Sequence, residues 1–309
     1  MIEMRTRMLS KLTNAEVEAY LDRNNIIFVP VGTCELSGRM PLDNEYTSPA
    51  GIALACAEVV DALVLDSLKY FYVGATTNGR GSVQVSTRAG YDYLKEIAYS
   101  LWCQGFEQII FISGHGPAEM TIVPMIWDFF DETKHHLWWM NVGACQATAQ
   151  KKLDPAVHGI PNFGKVHLGC YEILNCKDEL VIDPEHAQWP AHWDPEKFAR
   201  ENANKPVQPM KLPDSVKNIM HAINFATFSN ATGFYFGSIE DHGGDNGAFA
   251  SVEERDQVCA DGLKQLRVMV DLMDMPKYIE DIRAQQVYTD THIKSTYKHL
   301  PKNRFANWN

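Results

Sequence analysis

Short apolar runs that stop at glycine alternate with longer amphipathic stretches along this chain. The run IIFVPVG (26–32) is β-branched, uninterrupted and closed by Gly32, the pattern of a strand buried on both faces. QIIFISG (108–114) repeats that form most clearly, and HLWWMNVG (136–143) repeats it more weakly. YFYVG (70–74) and the alternating GSVQVST (81–87) predict two further strands. Helices are predicted between them. One spans about 14–24, opening on a capping signal (Thr13 or Asn14, then Glu16), and another spans 48–64, opening on Ser48-Pro49. Others span 90–104, about 118–131, and about 252–274, the last closed by Pro276. Strands alternating with helices imply βαβ units and a mainly parallel sheet, hence an α/β fold. Residues 184–213, rich in Pro, Trp and His without periodicity, predict a long loop. The organisation expected is one domain over 1–275, with 276–309 as an extension packed on that domain or on a neighbouring subunit.

Composition narrows the class. Apolar residues make up 45% of the 309 and charged residues 22%, ordinary for a folded domain, and seven Trp exclude a disordered chain. A net charge of −11 argues against a nucleic-acid binder, which needs a basic face to displace phosphate counterions. No apolar run approaches the ~20 residues that cross a bilayer, and the charged, amphipathic N-terminus lacks the apolar core of a signal peptide. Seven irregularly spaced Cys with no CxxC pair suggest reduced thiols and a cytoplasmic location, and speak against a thiolate zinc site.

The chemistry gathers where strands end. The first strand runs into Thr33-Cys34-Glu35 and the 108–114 strand into His115-Gly116; in parallel sheets the carboxyl ends of strands form the ligand crevice. Asp43 and Glu45 follow in the loop before the next helix. Two carboxylates and an imidazole make a donor set for a divalent ion such as Zn²⁺ or Mn²⁺. Trp138, Trp139, Trp189 and Trp193 are candidates for an aromatic wall, although packing is the default for Trp138 and its neighbours His135 and His136. His242, before Gly243-Gly244, is a candidate substrate contact or simply part of a turn. Asn78-Gly79-Arg80-Gly81 lacks the ending of a phosphate-binding loop.

Four segments together resemble the creatininase family. VPVGTCELSGRMPLDNEY (29–46) is similar to its opening motif VPxGxxExHGxHLPxxxD, and FISGHGPAE (111–119) to its GHGGN motif. GKVHLGCYEIL (164–174) is similar to HAGExETS, and TGFYFGSIEDHG (232–243) to its GVxGxP stretch. The resemblance implies a three-layer α/β/α fold, a homo-oligomer (a hexamer in relatives), and Glu35, Glu45 and His115 as metal ligands. It also implies His167 and Glu172 as acid/base residues beside the metal. The chain departs from the pattern at Ser37, where the family has a histidine, and at Pro117, where creatininase has a glutamate. Both lost positions serve one of two metals, so a single ion is expected, with Ser37 left as a substrate contact. Cys170 replaces a glutamate of the third motif; Cys170 and Cys34 are candidate nucleophiles, with structural burial the commoner fate of such thiols.

The implied activity is hydrolysis of a small cyclic amide by metal-activated water. Two alternatives stay open. One is C–C bond hydrolysis of a cyclic diketone, such as a diketo-inositol, at the same site. The other is a binding protein of this fold that has lost catalysis.

Overall fold

The computed structural model describes residues 4–74, 76, 81–159, 161–184 and 248–296. The predicted loop from residue 185 onward, Trp189, Trp193, the 232–243 motif with His242, residues 78–80 and the tail from 297 lie outside the described residues.

Helix α1 (Asn14–Leu21) opens on a complete capping box: Thr13 accepts from the Glu16 backbone and Glu16 accepts from the Thr13 N–H. β1 (Ile26–Pro30) follows, then α2 (Asn44–Val60) and β2 (Leu63–Val64). Next come α3 (Thr87–Cys103), β3 (Gln108–Ser113), α4 (Glu119–Thr133) and β4 (Trp138–Asn141). The four strands form one parallel sheet in the order β2-β1-β3-β4. Their side chains alternate between two cores. Ile26, Phe28, Ile110 and Ile112 face α2 and the C-terminal helices, while Ile27, Val29, Ile109 and Phe111 face α3 and α4. Helices therefore cover both faces, and the fold is a three-layer α/β/α sandwich.

Beyond the sheet lie α5 (Val142–Lys152), α6 (Pro155–His158), α7 (Val166–Ile173), a short parallel pair β5 (Val181–Ile182) and β6 (Ala248–Phe249), α8 (Val252–Met273) and α9 (Met275–Tyr288). Among the described residues no helix is long and apolar enough to cross a membrane.

Four expectations need correction. Residues 70–74 and 81–87 are not strands: they make isolated bonds, such as Val83 N–H to the Cys34 carbonyl at 2.9 Å, and cross the strand ends instead of joining the sheet. α2 starts at Asn44, not Ser48, so Pro49 lies inside it, and the chain turns at Asp61 (φ 51°) to feed β2 where helix was expected to continue. α5 carries no prediction, because only Val142 and Ala149 are buried along it and no apolar stripe marks it. Pro276 opens a helix instead of closing one. The break is Asp274 (φ 54°), whose side chain caps α9, and Ile279 and Ile282 then enter the core beside β1. Residues 276–288 are thus part of the sandwich, and Arg283 ties them to Gln108 and Asn24.

α7 and α8 cross at backbone contact. A Cβ on Gly169 would lie 2.3 Å from the Gly262 carbonyl carbon, and one on Gly262 would lie 2.6 Å from the Gly169 nitrogen. Backbone cannot swing aside as a side chain does, so Gly262→Ala should destabilise the protein by ~1–3 kcal/mol through overpacking. Urea denaturation checks this; an unchanged midpoint rejects it.

Candidate metal centre

β2 lies on one side of β1 and β3 on the other, so the order in which the parallel strands are added reverses at β1. Such a switch point opens a crevice at the carboxyl ends of the two strands. Glu35 follows β1 and His115 follows β3, so both reach this crevice from neighbouring strands. Glu45 arrives in the first turn of α2. That turn lies directly on the end of β1: a Cβ on Gly32 would sit 2.1 Å from the Glu45 carbonyl oxygen, so no other residue fits there. Glu45 was expected in a loop; the helix fixes it on a rigid element, where the positive end of the helix dipole favours a carboxylate.

One ligand atom from each of Glu35, Glu45 and His115 lies within 4.8 Å of the other two. His115 Nδ1 is 2.9 Å from Glu35 Oε1 and 3.9 Å from Glu45 Oε2. Glu35 is 1% exposed and His115 4%. Burial pulls the His115 pKa down, but the hydrogen bond and charge of Glu35, the charge of Glu45 and the Tyr72 carbonyl outweigh it, so the net shift is upward. The two acids thus favour the protonated form of the imidazole. Two carboxylate oxygens and one imidazole nitrogen, converging and mostly buried, fit a divalent ion of the Zn²⁺ or Mn²⁺ type.

Two of the three side chains are held from behind by the stretch that contains Tyr72, in an expected strand, and Thr76, just after it. The Tyr72 carbonyl accepts from His115 Nε2 at 2.7 Å, which leaves Nδ1 as the nitrogen facing the acids. The Thr76 hydroxyl donates to Glu35 Oε2, and Ser82 Oγ accepts from the Leu36 N–H at 3.0 Å. None of these contacts was visible in the sequence, because a backbone carbonyl and two small hydroxyls leave no motif. Gly114 and Gly116 flank His115 with negative φ. A Cβ on Gly116 would meet nothing within 4 Å, so their value is the open space they leave.

The remaining predicted residues are placed differently. Ser37 is 1% exposed, and its Oγ accepts from Asn44 Nδ2 at 3.1 Å, bracing the loop onto α2; it does not project as a substrate contact. Pro117 is buried in the short turn Gly116–Ala118. His167 lies within α7, not before it, and is half-buried; burial pulls its pKa down against one hydrogen bond to the Gly164 backbone. Glu172 is paired with Lys177 at 2.9 Å, and Lys177 in turn lies 3.7 Å from Asp256. Neither His167 nor Glu172 belongs to the three-residue cluster. Trp138 is the first residue of β4, paired with Ile110, three residues before the carboxyl end, and its ring packs on His136 at 5.4 Å. That places it away from the crevice. Burial pushes up the Cys170 thiol; the same effect, with the charges of Asp43 and Glu35, pushes up Cys34, so neither is a ready thiolate.

Comparison with known proteins agrees with this fold. A creatininase point mutant of the Zn-Zn type superposes with a TM-score of 0.53 at 18% identity, over 90% of this chain and 99% of that one. A structure described as creatininase Mn gives the same values, and a further creatininase point mutant gives a TM-score of 0.54 at 18% identity. At such identity these neighbours speak for the fold. No curated protein matches the sequence. The family model for creatininase (creatinine amidohydrolase) matches residues 10–217, two-thirds of the chain, and with the sandwich and its strand-end cluster in place the chain belongs to the creatininase family.

Proposed function

We propose that this protein is a hydrolase that holds one Zn²⁺ or Mn²⁺ ion on Glu35, Glu45 and His115 and opens a small cyclic amide. The observation that carries the reading is the convergence of three ligand atoms at the switch point of the sheet, with two of the side chains almost wholly buried. A bound divalent ion supplies Lewis acidity, polarising a carbonyl and lowering the pKa of a water from 15.7 towards about 7.

The chain's own residues set the conditions for that chemistry. Glu35 and Glu45 provide two negative charges, the amount one divalent ion neutralises. Ser37 and Pro117 offer neither carboxylate nor imidazole, and Ser37 Oγ is already engaged by Asn44, which favours a single ion. Tyr72 fixes the tautomer of His115, and Thr76 orients Glu35. For proton transfer, His167 is the better candidate of the two expected residues. It lies four residues before Tyr171, hence on the same face of α7, and the Tyr171 hydroxyl reaches Asp43, two residues from Glu45. Burial shifts its pKa downward and so favours the neutral imidazole, the form that can first accept a proton and then deliver it to the departing nitrogen. Glu172 points elsewhere, into its pair with Lys177.

Elemental analysis of the purified protein should find one divalent ion per chain; two tightly held ions would reject the single-ion reading. His115→Ala should lower metal affinity by more than about 100-fold, since changes one shell further out already cost ~10–100-fold, and should abolish hydrolysis of cyclic amides. A panel that also contains cyclic diketones reads the bond cleaved. Full activity in the variant would remove the metal from the reaction, whereas a wild-type protein with neither bound metal nor activity on the panel would leave a binding protein as the better description.

Metal binding requires the neutral imidazole, and His115 keeps its proton to higher pH than an ordinary histidine of pKa ≈ 6.5. The ion must displace that proton, so affinity should rise with pH through the range in which His115 titrates. Calorimetric Zn²⁺ titrations near pH 7 in buffers of different ionisation enthalpy should show proton release; a pH-independent affinity counts against His115 as the ligand.

A further inference from the structure

Behind the cluster, one hydrogen bond links the C-terminal half of the chain to the metal loop. The Tyr171 ring is fully buried in α7 among Met40, Leu168, Leu180, Phe249 and Cys259. Its hydroxyl donates to Asp43 Oδ1 at 2.6 Å, while Thr47 Oγ1 donates to Asp43 Oδ2 at 2.8 Å. Asp43 precedes α2 directly, yet its side chain caps no backbone N–H of that helix. Both of its oxygens are spent on hydroxyls, one from within α2 and one from a different helix 128 residues away. The Asp43 carbonyl accepts from Tyr46 N–H at 3.0 Å and Thr47 N–H at 2.9 Å, so the turn fastened at both ends is the turn that carries Glu45.

Two features make that turn dependent on an outside anchor. Pro49 cannot donate to the Glu45 carbonyl, so the helix lacks the bond that would normally tie this residue to the next turn. Gly32 supplies only a contact surface beneath it. We propose that Tyr171 is a positioning residue for the metal centre, acting through Asp43 to hold Glu45 at ligand distance from Glu35 and His115. This rests on the reading of the cluster as a metal site, and it adds a residue of α7 that provides no ligand atom.

Tyr171→Phe removes the hydroxyl and keeps the buried ring and the charge of the site. Zn²⁺ affinity of the full chain, measured by chelator competition, should fall ~10–100-fold, the range found when a group behind a metal ligand is lost. The d–d spectrum of the Co²⁺-loaded protein should shift with it, a readout that a loss of stability alone does not move. Tyr99→Phe deletes a tyrosine–carboxylate bond of the same type, to Glu132, on the opposite face of the sheet, and should leave both readouts at wild-type values. Asp43→Asn carries the test if Tyr171→Phe does not fold. In the Asp43→Asn background Tyr171→Phe should add less than it costs alone, because both act through one bond. A folded Tyr171→Phe or Asp43→Asn protein with wild-type Zn²⁺ affinity and Co²⁺ spectrum overturns the proposal. A wild-type protein that binds neither Zn²⁺ nor Mn²⁺ overturns the metal reading itself, and that result is seen before any variant is made.

Discussion

Two carboxylates and an imidazole share a largely buried crevice, and that arrangement favours a positive charge inside it. Two like charges ~4 Å apart repel by about 4 kcal/mol at an effective dielectric near 20, before the cost of desolvating either is counted. The two carboxylates raise the His115 pKa and so favour its protonated form, and a divalent ion would meet the demand more completely. The architecture around the cluster serves to keep the three groups from separating. Parallel strands β1 and β3 set the spacing of Glu35 and His115, and the absent Cβ of Gly32 lets α2 come down onto the strand end with Glu45.

The strands that build this site could be read from the chain because burial on both faces leaves a plain signature. IIFVP and QIIFIS carry side chains into two cores at once, so nearly every position is apolar, and each run stops where it meets the crevice. The candidate ligands were legible for the same reason: Glu35 and His115 are the first carboxylate and the first imidazole after those runs, and Glu45 follows within a short, motif-bearing stretch. The 70–74 and 81–87 segments misled because β-branched and aromatic residues also suit a wall laid across strand ends. Alternation records which residues are half-buried, not whether a ladder forms. Pro49 misled for a related reason: proline favours the first helical turn, but at the sixth position it costs one hydrogen bond and the helix keeps its earlier start.

What the sequence hides is the layer behind the ligands. The Tyr72 carbonyl belongs to the backbone and leaves no trace in residue type. Thr76 and Ser82 are small hydroxyls of a kind found on any surface. Tyr171 stands in the third motif beside Glu172, the residue with the obvious chemistry, and the helix turns the two about 100° apart. One goes to Asp43 and the other to Lys177. A motif fixes which residues lie in a segment; helical phase decides which of them reaches the site.

The substitutions at Ser37 and Pro117 bear on the reaction as well as on metal count. Where two ions flank a scissile bond, one can stabilise the attacking oxygen and the other the leaving atom. A centre with donors for a single ion must obtain the second effect from a protonated side chain, because an amide nitrogen does not depart as an anion at neutral pH. That requirement falls on a group that is neutral at rest and basic enough to collect a proton during attack, which describes a half-buried imidazole better than a carboxylate already paired with lysine. On the proposed single-ion reading, the missing donors at Ser37 and Pro117 and the downward shift of the His167 pKa belong together: the fewer cations the crevice holds, the more of the charge that develops during cleavage falls to proton transfer by a side chain such as His167.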